Sequence, residues 1–292
     1  MKLIDSHCHL NSEEFKNSYK EIIADCLEKE IGLLNIGADF ETSKRAVEIA
    51  GEYLDKPIYA SIGMHPENLN KKFEQEKFQN LITNKVVAVG EIGLEYYYMK
   101  EIEKLKINKL REKQRDLFVA QLSFAVENNL PVILHARGSK ENPNDAYEDM
   151  LEIISSFVSS SRKRGSHGQE IPDRVGDDKD ITGVVHCFSA SLEIAQKFLD
   201  LGFYLGFTGL ITFKNKSIDN LRETVKLIPL EQILVETDAP YLTPEPCRGE
   251  INKPQNVALV ARKIAELKNI TYKEVCTVTT ANVKKLFLSK NF

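Results

Sequence analysis

Eight short β-rich runs, each followed by a stretch of helical periodicity, constrain this chain more than any other feature. The runs are residues 3–7, 33–37, 58–63, 86–91, 131–135, 183–186, 204–208 and 233–237. Between them lie amphipathic segments at 19–30, 42–53, 113–128, 191–201 and 218–227, and two more, 256–267 and 272–288, follow the last run. Most runs are nearly unbroken apolar sequence, as expected of strands covered on both faces. Strand and helix alternating in this way predict an α/β fold, a (β/α)8 TIM barrel with additional C-terminal helices. An open doubly wound sheet is the competing arrangement, but no Gly-x-Gly-x-x-Gly turn follows the first run.

The 292 residues suit one barrel domain, 1–292, with insertions near 96–115 and 159–180. The first insertion carries Lys100, Lys104, Lys106, Lys109, Arg111, Lys113 and Arg115, interleaved with Glu101, Glu103 and Glu112. Such a run is first of all a solvated helix face, and a contact to DNA is the sharper alternative. The second is rich in Ser, then basic, then acidic, and reads as a solvated segment.

Composition narrows the function classes. Thirty-nine basic against 43 acidic residues leave a formal charge of −4, too acidic for a broad face that wraps nucleic acid. The longest apolar stretch, 202–213, is too short and too glycine-rich to span a bilayer, and the N-terminus lacks the apolar core of a signal peptide. Five dispersed cysteines without a Cys-x-x-Cys pair fit a reducing compartment. These features predict a soluble, cytoplasmic protein with no membrane association and no obligate protein partner.

The ionisable residues then fall into place. His7, His9, His65, Glu91, His135, His186 and Asp238 all lie at or just beyond the carboxyl ends of predicted strands, the face on which barrel enzymes carry their active sites. Five of the six histidines are there; the sixth, His167, sits in the polar insertion and reads as a surface residue. His7 and His9 are two apart on an extended segment, so both rings face one side and Cys8 the other; the same alternation turns Cys187 away from His186. Four histidines and two carboxylates exceed the needs of one tetrahedral zinc and suffice for two divalent ions that share a carboxylate. Such a pair, about 3.5–4 Å apart, clamps the attacking and leaving oxygens of a displacement and activates water at neutral pH. Glu236 faces the same way as Asp238 from deeper in the barrel, where it would support a ligand or join a structural ion pair.

Seven segments in this order, DSHCHL (5–10), GMHP (63–66), GEIGLEYY (90–97), HAR (135–137), HCFSA (186–190), ETDAPYLTP (236–244) and RGEINKP (248–254), resemble the TatD-type metal-dependent deoxyribonucleases, a branch of the amidohydrolase-like barrels. The resemblance spans nearly the whole chain. It implies that His7, His9 and Asp238 hold one ion and His135 and His186 the other, with Glu91 bridging. Asp238 would also orient or deprotonate the attacking water, and His65, Arg137 and Arg248 would contact substrate phosphate. It implies Mg2+ as the ion, whereas the donor set alone also suits Zn2+ or Mn2+.

The expected activity is hydrolysis of DNA phosphodiester bonds by two-metal activation of water, in the manner of a 3′-5′ exonuclease on single strands or 3′ ends. The alternative on the same ligands is an ester or amide hydrolase, aminoacyl-tRNA deacylation included. Three departures from the family pattern stand out: Glu95 in place of Asp, Ala190 in place of a Gly that could adopt positive φ freely, and the insertions after Glu91 and Arg137 and at 159–180, which bear on substrate size and access and leave every metal position intact.

Overall fold

The apolar runs pair in the order in which they occur. The computed structural model describes residues 1–101, 104–164 and 181–289. The strands β1 (Leu3–Cys8), β2 (Ile31–Asn35), β3 (Ile58–Ile62), β4 (Val86–Glu95), β5 (Val132–Arg137), β6 (Gly183–Val185), β7 (Tyr204–Phe207) and β8 (Ile233–Val235) form one sheet in the order β1 to β8. Each hydrogen-bonds its neighbours in parallel. The helices that cover it are α1 (Tyr19–Glu28), α2 (Phe40–Gly51), α3 (Gln75–Gln79), α4 (Lys104–Glu127), α5 (Asp145–Arg164), α6 (Leu192–Asp200), α7 (Asp219–Leu227), α8 (Val257–Lys268) and α9 (Tyr272–Val283). The fold is the (β/α)8 barrel that the alternation predicts. No helix among the described residues is long and apolar enough to cross a membrane.

Local sequence explains where the helices begin. Asp39 caps α2 by accepting from Thr42 N, and Thr42 Oγ1 accepts in return from Asp39 N, both at 2.8 Å. Ser191 and Thr271 cap α6 and α9 in the same sense. Two helices differ from expectation. α4 starts at Lys104 rather than 113, because Ile107 and Leu110 pack on the core beneath its charged outer face. The insertion expected at 96–115 is therefore a short 3-10 turn, Tyr97–Glu101, followed by helix. α5 is not among the amphipathic segments read from the sequence and runs to Arg164, into the insertion expected from 159; Ala146, Tyr147, Met150, Ile153 and Ile154 recur at helical spacing and are buried. Residues 165–180, with His167, lie outside the described residues.

The core has two parts. The larger fills the space between sheet and helices. The smaller lies within the barrel, where Ile4, Leu34, Tyr59, Val87, Ile133, Val184, Tyr204 and Leu234 supply one side chain per strand. Leu286, Phe287 and Leu288, on the turn after α9, pack against this inner layer. Closure between β1 and β8 is made at the carboxyl rim, where Asp238 N donates to His7 O (2.9 Å) and His9 N to Ala239 O (2.7 Å). Phe287→Ala should thus cost about 3–5 kcal/mol of stability, read as a lowered urea midpoint. An unchanged midpoint would mean that this turn does not seal the interior.

Candidate metal centre

The rim that closes the barrel is also where the ionisable side chains meet. The pairing of β1 with β2 shifts register between Asp5 and Cys8, and that of β4 with β5 between Val89 and Ile92. His7 and Glu91 lie inside these two irregularities, which re-aim side chains relative to a regular ladder. Asp238 has φ of 58° and Cys187, next to His186, a φ of 45°. Asp tolerates this left-handed conformation, whereas for Cys it stores about 1–2 kcal/mol. Glu236 Oε1 holds that strained turn by accepting from Cys187 N at 2.6 Å. Ala190 is not among the described positive-φ residues and is buried, so its replacement of Gly imposes no such strain.

Glu91 stands at the centre with its two oxygens turned to different histidines. Oε2 lies 3.5 Å from His7 Nε2 and 4.0 Å from His9 Nε2. Oε1 lies 2.7 Å from His135 Nδ1, 3.9 Å from His65 Nε2 and 4.0 Å from His186 Nε2. Asp238 Oδ1 is 3.4 Å from His9 Nε2, 3.6 Å from His186 Nε2 and 3.8 Å from His7 Nε2. The Nε2 atoms of His7 and His9 are 3.2 Å apart, as their two-residue spacing predicts.

Three trios result: His7, His186 and Asp238; His7, His9 and Glu91; and His65, Glu91 and His135. The ligand atoms of each trio lie within 4.8 Å of one another. The grouping differs from the one the resemblance implies. His186 faces His7 and Asp238 because its ring stacks on that of His7 with centroids 3.3 Å apart, while its Nδ1 is 2.8 Å from Glu236 Oε1. His135 is held instead between Glu91 and Glu95, whose Oε2 lies 3.2 Å from its Nε2, and His65 packs edge-on against it.

The electrostatics follow from burial in competition with charge. Burial is the largest influence on His186 and works downward, but Glu236, Asp238 and Glu91 outweigh it and raise this histidine to about 10. His135 is likewise pushed down by burial and lifted by Glu91 and Glu95 to about 9. His65 is lowered to about 3, first by burial and then by the neighbouring His135. His7 is also lowered, by burial and by His186. Burial would raise Glu91, but the histidines around it, His135 first, hold it well below the usual carboxylate range. The carboxylates therefore draw positive charge into a buried site. Protons on two imidazoles meet that demand in part. A divalent cation meets it directly, and the donor set of imidazole nitrogens and carboxylate oxygens fits one. His7 Nδ1, buried without a hydrogen-bond partner, is consistent with a ring positioned for the contacts of its Nε2.

The supporting residues were only partly legible. Glu236, expected either to support a ligand or to join a structural ion pair, is fully buried with Oε1 2.8 Å from His186 Nδ1. A Cβ on Gly206 would come within 2.4 Å of Glu236 Oε2, so glycine here leaves the room in which that carboxylate sits. Asp5 was missed as more than a motif letter. Its carboxylate accepts from Thr237 N (2.8 Å), Thr237 Oγ1 (2.6 Å) and His7 N (3.3 Å), fastening the two strands that carry His7 and lead to Asp238.

Of the expected phosphate contacts, His65 lies within the centre beside Glu91 and His135, and the two arginines sit further out. Arg137 is exposed, with its guanidinium 4.0 Å from the centre of the Tyr97 ring and Nη1 donating to Tyr98 OH at 3.2 Å. Arg248, also exposed, stacks on Phe213 at 3.9 Å and donates to Thr243 O at 3.1 Å, so it braces its own loop. Within the basic run, Arg111 is committed to Asp145 (2.6 Å) and to the face of Tyr96, which ties α4 to α5.

A (β/α)8 barrel with histidines and carboxylates converging on its carboxyl rim is the architecture of a metal-dependent hydrolase. Comparison with known proteins agrees. The family model for TatD related DNases matches residues 4–288. The chain is 37% identical over 289 residues to the uncharacterized metal-dependent hydrolase YabD of Bacillus subtilis, covering 98% of both chains. It is 34% identical over 292 residues to YcfH of Escherichia coli K12, also an uncharacterized metal-dependent hydrolase, covering 98% of this chain and 96% of that one. Among solved structures, the TatD homologue YJJV of Escherichia coli K12 superposes with a TM-score of 0.78 at 27% identity, covering 98% of each chain. The chain belongs to the TatD-related DNase family.

Gly206→Ala should displace the Glu236 carboxylate from His186 and weaken divalent-ion affinity by about 10–100-fold while the circular dichroism spectrum is retained. Titration calorimetry would measure this; wild-type affinity in the variant would remove Glu236 from the support of the site.

Proposed function

We propose that the protein is a metal-dependent deoxyribonuclease that hydrolyses DNA phosphodiester bonds, acting as a 3′-5′ exonuclease on single strands or 3′ ends. The observation that carries this reading is the division of Glu91: one oxygen faces His7 and His9, the other His135 and His65. A carboxylate shared in this way suits two ions side by side, the arrangement suited to displacement at phosphorus. When bound, two divalent ions, Mg2+ by family resemblance and Zn2+ or Mn2+ by donor chemistry, supply Lewis acidity and an acidified water.

The protein's own groups do the rest. By resemblance His7, His9 and Asp238 would hold one ion and His135 and His186 the other, with Glu91 shared, although His186 here lies against His7 and Asp238. Asp238, within 3.8 Å of three imidazoles and held below its ordinary value by His186 and His9 against the upward pull of burial, stays ionised. It is thus able to orient the attacking water and accept its proton. His65 and Arg137 border the side on which substrate phosphate would enter, and the planar fork of Arg137 matches phosphate oxygens. Arg248 would reach phosphate only from the loop it braces. The net charge of −4 does not oppose an anionic substrate, because bound cations set the local field.

The test is a metal-titrated cleavage assay on a labelled single-stranded oligonucleotide, with wild type beside Glu91→Ala. Metal-dependent shortening of the strand from its 3′ end, reduced at least 100-fold in the variant, is the expected outcome. If metal binds but no oligonucleotide is cut with any ion, while small esters or an aminoacyl-tRNA are hydrolysed, the same centre acts at carbon instead.

A further inference from the structure

Among the described aromatic residues, only Tyr98 and Tyr241 are largely exposed, at 60% and 56%. Both lie on the carboxyl rim, in the connections that leave β4 and β8. Single exposed rings are ordinary on protein surfaces, but both of these stand on the rim that carries the candidate metal centre, within the reach of a bound substrate. Tyr98 has the more developed surroundings. Its ring stands edge-to-face with Tyr97, centroids 5.3 Å apart at 89°. Its hydroxyl accepts from Arg137 Nη1, and the Arg137 guanidinium lies 4.0 Å from the Tyr97 ring centre and 5.2 Å from that of Tyr98. An exposed arginine is thus fixed between two rings, with most of its donors still unused by that contact.

The group is joined to the metal centre through one side chain. Glu95 Oε1 accepts from Tyr97 N at 2.7 Å while Glu95 Oε2 faces His135 Nε2 at 3.2 Å, and Tyr96 N donates to Arg137 O at 2.8 Å. The longer Glu in place of the family's Asp therefore touches both the histidine and the tyrosine turn.

We propose that the Tyr98 ring is a stacking platform for a nucleobase of a single-stranded polynucleotide, with Arg137 holding the adjacent phosphate. Tyr98 then reads no sequence, since every base presents a π-face, and it selects strands whose bases are free over paired ones. The inference rests on the nuclease reading above and names the part of the substrate that the metal ligands leave undefined.

The test compares kcat/KM for an oligonucleotide with that for the same strand carrying an abasic residue next to the scissile bond, using wild type, Tyr98→Ala and Tyr98→Phe. Tyr98→Ala should lose about tenfold on the normal strand, chiefly through KM, and Tyr98→Phe should keep most of the activity. The abasic strand should cost wild type a similar factor and cost Tyr98→Ala little more. Equal losses for Tyr98→Ala on both strands, or a loss in Tyr98→Phe as large as in Tyr98→Ala, would overturn the platform and leave Tyr98 as a positioning residue for Arg137. If wild type cuts no oligonucleotide, the nuclease reading fails separately. Fluorescence anisotropy with the same two strands then decides the platform: base-dependent binding that Tyr98→Ala loses supports it, and binding indifferent to base or ring ends it.

Discussion

A buried carboxylate that does no chemistry organises this protein. Asp5 is fully enclosed, and burial pushes it well above its ordinary value despite the hydrogen bonds from Thr237 and His7 that pull the other way. Its acceptors tie the first strand to the segment after the last, at the one place where a parallel barrel has to bring the two ends of its sheet together. Once that joint is made, Asp238 N reaches His7 O and the ligands from either end of the sheet face each other. The fold and the site are thus one problem with one solution. The segments that close the barrel carry three of the metal-type side chains, His7, His9 and Asp238.

Above an apolar interior the barrel changes character within a residue or two. Ile4, Val184 and Leu234 belong to the dry layer, while His186 and Glu236 on the same strand paths belong to a charged one. Such a layer is tolerable because the charges are largely paired: Glu91 with His135 and His7, Asp238 with His186 and His9, and Glu236 through Oε1 with His186 and the amide of Cys187, its Oε2 being left without a hydrogen bond. Removing one member leaves its partner buried without compensation, which costs more than the pair itself contributes.

How much of this the sequence disclosed depended on the kind of signal. Strand positions were legible because apolar runs of four to six residues have few other homes in a chain of this length, and the ligands because histidines are scarce and recurred at strand ends. β4 extends past the predicted end because its last residues, Gly93 to Glu95, carry no apolar run and are marked only by their register with His135 to Arg137. α5 was overlooked because serine-rich sequence imitates a loop, and its buried face is visible only as spacing. The side chains around the ligands were least legible. That Glu95 touches His135, or that Gly206 makes room for Glu236, depends on contacts between distant strands that no local pattern encodes.

The joint between the first and last strands has a bearing on endurance as well as geometry. Between β1 and β8 the backbone is stitched near the top, around Cys8 and Ala239, and not along a continuous ladder. Anything that spans His7 and His9 on one side and Asp238 on the other therefore also pins the seam shut. Occupancy of the rim and resistance to unravelling become linked quantities. A cell short of the right cation would then hold a protein that is idle and also easier to open along that seam.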